Sequence, residues 1–315
     1  MAVQEAVRAG AHRAPAEARP AGRKWRRAVT GWTFAAPFTV LFVVFALLPV
    51  VASLLMSVTD MRSTDLRHPF AVDFVGLGNY TRLFGDALFR RAAVNTAVFV
   101  VIGVPLTIVA ALAAANALNS GLIRLRGLFR VGFYLPVVTS IVAIAVVWRF
   151  LLDPDAGLVN NLLAQFGIHG PAWLQDPDTS LGSIIVMATW RNFGSLMVIF
   201  LAALQGIPAD LYEAATLDGA GRWQQFRNVT LPLMRPALLF GAVITGIGYL
   251  QLFEEPLVMT QGGPLSSTLS VSYHIYNQFG FGNYGYASAA AYVLFVAIVA
   301  LSALQFRLLG TRDAD

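Results

Sequence analysis

Residues 92–123 pass thirty-two consecutive positions without a charged side chain, and residues 28–59 pass another thirty-two. Runs of that length have few fates. A helix rising 1.5 Å per residue needs only about 20 residues to cross a hydrocarbon core of about 30 Å. Only 12% of the chain is charged and 57% is hydrophobic, with a mean hydropathy of +0.65. A globular domain gives about a quarter of its residues to charge. A chain of 315 residues with this composition cannot cover a water-facing surface, so its solvent is lipid.

Several chemistries are absent for want of residues. There is no cysteine, which removes disulfides, thiolate metal sites and thiol catalysis. His12, His68, His169 and His274 lie far apart and form no paired metal motif. Lys24 is the sole lysine, so no phosphate loop of the G-x4-G-K-[ST] type exists and the chain does not hydrolyse ATP by that route. The net charge of +5 could suggest nucleic acid, but the basic residues border apolar runs, as positive-inside anchoring requires.

Six spans are expected: residues 34–49, 94–118, 131–148 (running on to 152), 181–205, 236–253 and 287–306. With the N-terminus inside, the internal segments 1–27, 119–130, 206–235 and 307–315 hold fifteen of the 22 basic residues, whereas the external segments 153–180 and 254–286 hold none. The loop at 60–91 dissents, with five arginines against four aspartates, and reads as a folded external loop with an interfacial helix. Residues 1–27, without an apolar period, read as a disordered basic cytoplasmic tail, and 28–315 as the membrane domain. Arg26-Arg27 before an apolar run fits an uncleaved first span better than a twin-arginine export signal, because the run is too long for a signal core.

One polar segment carries structure of its own. In residues 206–235, Pro208 ends the preceding helix, and Asp210 with Glu213 makes a start like a capping box. Leu211, Ala214, Ala215 and Asp218 follow at helical spacing. Gly219 and Gly221 break the helix, and Trp223 to Val229 form a second one, which Leu231-Pro232 stops, with Trp223 and Phe226 exposed as anchors. This helix–turn–helix elbow either docks into a partner or lies on the headgroups, and its residues alone leave both readings open.

The elbow resembles the EAA motif of ABC importer permeases, E-A-A-x3-G-x9-I-x-L-P. Here it reads Glu213-Ala214-Ala215, Gly219, Val229 and Leu231-Pro232, with every spacing kept and valine in place of isoleucine. Similarity to the carbohydrate branch, of the maltose or glycerol-3-phosphate type, extends to Gly76 through Tyr80, Asn95-Thr96, Leu135-Pro136, Trp148 and Thr260 through Pro264. The resemblance implies an all-α, six-span, MetI-like permease core whose EAA helix docks in a groove of an ATP-binding subunit and moves with it. Asp210, Glu213, Ala214, Ala215, Asp218, Gly219, Arg222, Leu231 and Pro232 would then couple the two. It further implies a second, unlike permease, two ATP-binding subunits holding ATP and magnesium, and an extracytoplasmic solute-binding protein. The chain itself is expected to hold no cofactor, no metal and no catalytic residue, to bind no nucleic acid, and to sit in the cell membrane with both termini cytoplasmic.

Charge within a span is costly, about 3 kcal/mol on insertion scales, so Arg191 calls for a reason. It either pairs with a carbonyl or carboxylate across the bundle or, with Asn192 and Ser195, faces a hydrated path for a polar solute. In span five Thr245, Tyr249 and Leu252 share one helical stripe, with Gly248 leaving room beside them. By resemblance to the maltose-type permease these seven positions line the sugar site, though ordinary helix packing also accounts for Thr245 and Gly248. Glu254-Glu255-Pro256 is expected as a solvated helix end at the outer mouth, which by resemblance receives the binding protein together with Gly262, Gly263 and Pro264.

These readings converge on a permease subunit of an ABC importer for a sugar, in the first place an oligosaccharide. Glycerol-3-phosphate or another polyol is the alternative substrate. A secondary transporter is the more distant rival, lacking an inverted repeat with broken helices or buried coupling carboxylates. A membrane-embedded enzyme would need clustered histidines and acids that this sequence does not bring together.

Overall fold

Prolines and short polar side chains punctuate the apolar chain, and the helices start and stop where they fall. The computed structural model describes residues 21–68, 72–120 and 124–310. The chain forms two compact units, residues 1–53 and 54–315. Residues 1–20 of the expected tail lie outside the described residues; residues 21–27 belong to helix α1, Ala21–Phe42, so the helix begins before the expected tail boundary. A π-helical turn, Val43–Leu47, joins α1 to α2, Leu48–Ser57, and residues 31–57 together are long and apolar enough to cross a membrane.

The second unit continues through α3, Gly78–Gly85, and α4, Ala87–Asn119. The Asp86 carboxylate starts α4 by accepting from the Leu88 amide at 2.8 Å. Next come α5, Arg126–Val138, α6, Ile141–Leu151, and the short α7, Leu158–Gln165. Helix α8, Pro177–Gln205, opens with Asp176 as cap and proline in the first position. Then follow α9, Ala209–Leu217, α10, Arg222–Gln225, a π-helical turn at Phe226–Thr230, α11, Leu231–Leu233, and α12, Arg235–Leu250. Helices α13, Glu254–Met259, α14, Val271–Gly280, and α15, Tyr284–Leu309, complete the unit. Among the described residues there is no strand, only one bridge between Thr59 and Phe74.

Three of the expected spans, at 94–118, 181–205 and 287–306, fall inside single long helices. The third does not run straight, and the fifth, which lies in α12 as far as Leu250, follows a bend in the chain before it. Helices α5 and α6 meet at 101°, and the segment 222–233 meets α12 at 66°, so among the described residues there are four continuous candidate spans, or six if each bent pair counts as one. The first break is chemical. Pro136 has no amide to donate, and the Thr139 hydroxyl turns back onto the Leu135 carbonyl at 2.8 Å, which ends α5 before Ile141 restarts the helix. The loop at 60–91 is folded, as expected, by a 3-10 turn at Ser63–Arg67 and by α3, and Asn79 donates to the carbonyls of Ser57 and Thr59.

Lipid removes the hydrophobic drive between helices, so contact area and small residues must hold this unit together. Helix α4 lies along α8, with Ala111, Ala115 and Ala188 fully buried among Phe200, Met187 and Met197. Where α5 crosses α8, Gly194 comes so close that a Cβ there would overlap the Phe133 carbonyl.

Buried polar side chains tie the loop before α14 to this frame. Asn95 donates to the carbonyls of Ser266 and Leu269, Thr96 accepts from the Val271 amide, and Ser180 bonds Ser267 at 2.7 Å. Beside them the Asp86 carboxylate accepts from the Tyr286 hydroxyl at 2.7 Å, and the His274 Nε2, buried without a hydrogen-bond partner, lies 4.0 Å away. Burial pushes the His274 imidazole below its ordinary 6.5 despite the attraction of Asp86. Burial alone would raise Asp86, but bonds from Tyr286 and the Leu88 and Phe89 amides, with His274 nearby, hold it below 3.8. Both groups bind protons more weakly folded than unfolded, so stability is present at neutral pH and falls on acidification. His274 begins this loss as pH drops through its unfolded value near 6.5, and Asp86 adds to it below 3.8. We expect the thermal midpoint of the purified protein to fall between pH 7 and pH 5, and His274→Gln to flatten that slope. An equal slope in both proteins would refute the assignment.

Candidate functional site

Two places gather the residues singled out above. The first is the elbow. Helix α9 does not start with the expected capping box: Pro208 is its cap residue, which puts Asp210 in the second helical position, and neither Asp210 nor Glu213 makes a capping bond. Its C-terminus closes as expected. Gly219 sits at φ +80°, its amide donates to the Thr216 carbonyl at 3.0 Å, and the Ala220 amide reaches back to Ala215 at 2.9 Å. That pair of bonds is the Schellman closure, which needs a left-handed residue at this point.

The return helix is held by side chains. The Gly221 amide donates to Gln224 Oε1 at 2.8 Å, Gln225 Nε2 reaches Thr216 Oγ1 at 2.9 Å, and the hydroxyls of Tyr212 and Thr230 meet at 2.9 Å. Pro232 does not stop this helix, contrary to expectation. The π turn at Phe226–Thr230 widens the helix just before it, the chain continues to Leu233, and it bends only at Met234, which is fully buried. Trp223 is 70% exposed and stacks on Phe226 at 5.6 Å, leaving Phe226 half-buried and not a second free anchor. Of the nine coupling candidates, Ala215 is half-buried, and Asp210, Glu213, Ala214, Asp218, Gly219, Arg222, Leu231 and Pro232 are exposed. Leu217, at the tip, is 90% exposed.

The second place is a cavity of about 240 Å³ between α8 and α12. Arg191, Asn192 and Ser195 reach it from the middle of α8, and Thr245, Gly248 and Tyr249 from α12, with Leu252 just beyond. All seven expected residues thus surround one space. Nothing approaches within 4 Å of the point where a Gly248 side chain would project. Tyr249 is fixed by an edge contact with Phe99 at 4.9 Å and a hydrogen bond to Thr107 at 2.8 Å. Asn192 Nδ2 and the Ser195 hydroxyl donate back to the carbonyls of Ala188 and Asn192, which leaves accepting as the role open to their oxygens. Among the described residues Arg191 forms no ion pair across the bundle, and its Nε is buried with no hydrogen-bond partner.

Glu255 corrects the sequence reading. It is 9% exposed and lines this same cavity, while Glu254 alone is solvated. Helix α12 ends at Leu250, and α13 packs against α6 and α8, carrying Glu255 back to the cavity. Burial pushes its carboxyl above the ordinary carboxylate range, an effect that the charge of Arg191 partly offsets. A buried acid one residue from a solvated one leaves no signal in the sequence. A further opening, of about 500 Å³, lies among Arg149, Asp153, Gln175, Thr260 and Gln261 beside the Gly262-Gly263-Pro264 loop. Among the described residues no group of histidines and acids is placed to hold a metal.

Comparison with known proteins gives one consistent answer. The sequence profile of the binding-protein-dependent transport system inner membrane component family matches residues 103–312. The chain is 41% identical to a lactose transport system permease protein of Rhizobium radiobacter, over 88% of this chain and 93% of that one. It is 31% identical to an arabinooligosaccharides transport system permease protein of Bacillus subtilis, over 95% and 96% of the two chains. Among solved structures it superposes on a chain of a bacterial ABC transporter involved in import of the acidic polysaccharide alginate, with a TM-score of 0.73, 26% identity, and coverage of 91% and 99%.

Proposed function

This chain belongs to the family of binding-protein-dependent transport system inner membrane components, and from that membership we infer that it is the permease subunit of an ABC importer that carries a sugar, an oligosaccharide before a simple polyol. The observation that carries the reading is the elbow. Its tip residues Leu217 and Trp223 are exposed and apolar, while hydrogen bonds from Gly221 to Gln224 and from Gln225 to Thr216, and one between Tyr212 and Thr230, stiffen it from within. A stiff, exposed elbow passes on a push from a partner.

One of two ATP-binding subunits grips the elbow through Glu213, Ala214, Ala215 and Gly219, with Asp218 and Arg222 at the rim, and the pair holds the ATP and magnesium. A second permease completes the path. The binding protein releases its sugar at the opposite end, beside the Gly262-Gly263-Pro264 loop. Closure of the ATPase pair swings α8 and α12 between two states that expose the cavity to one side or the other. Seven basic residues before position 28, and the three between 206 and 235, support a cytoplasmic N-terminus and elbow.

The deciding experiment is purification of the chain from its host with its genomic neighbours. A stoichiometric ATPase, with sugar uptake in liposomes that needs both ATP and binding protein, is the expected result. Uptake by this chain alone would establish a secondary transporter instead.

A further inference from the structure

The cavity between α8 and α12 holds an acidic and a basic side chain that do not meet. Arg191 presents a buried Nε without a partner, and Glu255, nine-tenths buried, faces the same space, yet no ion pair closes within 4 Å between them. Two such groups, ionised and left apart where both are partly withdrawn from water, are costly unless something bridges them. The rest of the wall includes Asn192 and Ser195, which already donate to helix carbonyls, and Tyr249. A carboxylate only accepts hydrogen bonds, and a guanidinium only donates them. The molecule that satisfies both at once must donate and accept at neighbouring atoms, which is what the hydroxyls of a saccharide do.

We propose that Glu255 is a specificity-determining residue that, split from Arg191 across the cavity, makes a charge-balanced cradle for an uncharged saccharide and disfavours sugars carrying a carboxylate. The proposal rests on the reading of the chain as a sugar permease and adds the substrate class to it. Adjacent hydroxyls of the sugar donate to Glu255 while its oxygens accept from Arg191, and the ring lies against Tyr249. A uronate would gain Arg191 but would lay its own charge against Glu255, in a space of about 240 Å³ that leaves little water between them.

The absence of native cysteine makes the test direct. Gly248→Cys places one thiol where a side chain meets open space, and Ser195→Cys, close to isosteric, serves if the first does not assemble. In the assembled importer each thiol is modified with a cationic and an anionic methanethiosulfonate reagent. Glu255→Gln should shift the ratio of the two rates toward the anionic reagent by about threefold or more, and Arg191→Gln should shift it the other way by as much. Lactose should slow modification in the single-cysteine protein, lactobionate should not, and Glu255→Gln should let lactobionate protect.

Rates indifferent to both substitutions, a thiol that no reagent reaches, absence of protection by lactose, or equal protection by the two sugars would each overturn the proposal. The functional assignment is judged separately, by the presence of the ATPase in the purified complex. A complex that holds the ATPase but shows none of the charge effects sinks this inference alone.

Discussion

Gly219→Pro will cut sugar uptake by about 100-fold while the chain still inserts and assembles. Gly219 holds φ +80° and donates to Thr216, and proline can do neither. Losing the closure costs about 3 kcal/mol, which at 1.4 kcal/mol per decade lowers the equilibrium constant for closing the elbow about 100-fold. Asparagine tolerates the left-handed region, so Gly219→Asn should keep most of the activity. Glu213→Lys keeps the backbone and reverses an exposed charge on α9, and it too should separate ATP hydrolysis from transport. The readouts are ATPase activity and uptake in the same proteoliposomes. Normal uptake by the proline variant would remove the elbow from the mechanism.

The second large effect is on assembly of the fold. Gly194→Val sets a branched side chain against the Phe133 carbonyl at the crossing of α5 and α8, where the obstacle is backbone that cannot rotate away. Overpacking of that kind costs about 3 kcal/mol or more, a large share of the stability of a domain. We expect little folded protein on size exclusion in detergent, and a lowered thermal midpoint for what survives. Gly182→Ala on the same helix is the control, since nothing lies within 4 Å of its added carbon, and helix propensity should make it neutral or stabilising by about 1 kcal/mol. Similar behaviour of the two variants would mean the crossing is looser than described.

How much of this could be read from the letters depends on what each feature leaves in them. Helices α4 and α15 announce themselves through long runs without charge, α8 through a run broken only by Arg191, and the elbow as a spaced motif from Glu213 to Pro232. The seven cavity residues were accessible because two helical stripes, one bearing an arginine, stand out in apolar surroundings. Glu255 was not. A ruler of 1.5 Å per residue puts it about 30 Å beyond Arg235 on a straight helix, but the helix ends at Leu250 and the chain turns. The break at Thr139 escaped for a related reason: a threonine bonding back to a carbonyl four residues earlier looks like any other apolar-helix threonine. Pro232 misled because a proline reads as a stop unless the turn before it is known to be wide.

That wide turn has a geometric consequence. A π-helical turn takes in one residue more than its α-helical counterpart, and each residue of an α-helix advances the facing direction by about 100°. The extra residue among Phe226–Thr230 therefore acts as an angular offset between Trp223 and the side chains of α12 that point into the cavity. The compass bearing of the exposed tip is set by a count of residues, not by any single side chain. Deleting one position there would turn the tip about a quarter of the way around its axis while leaving every helix intact.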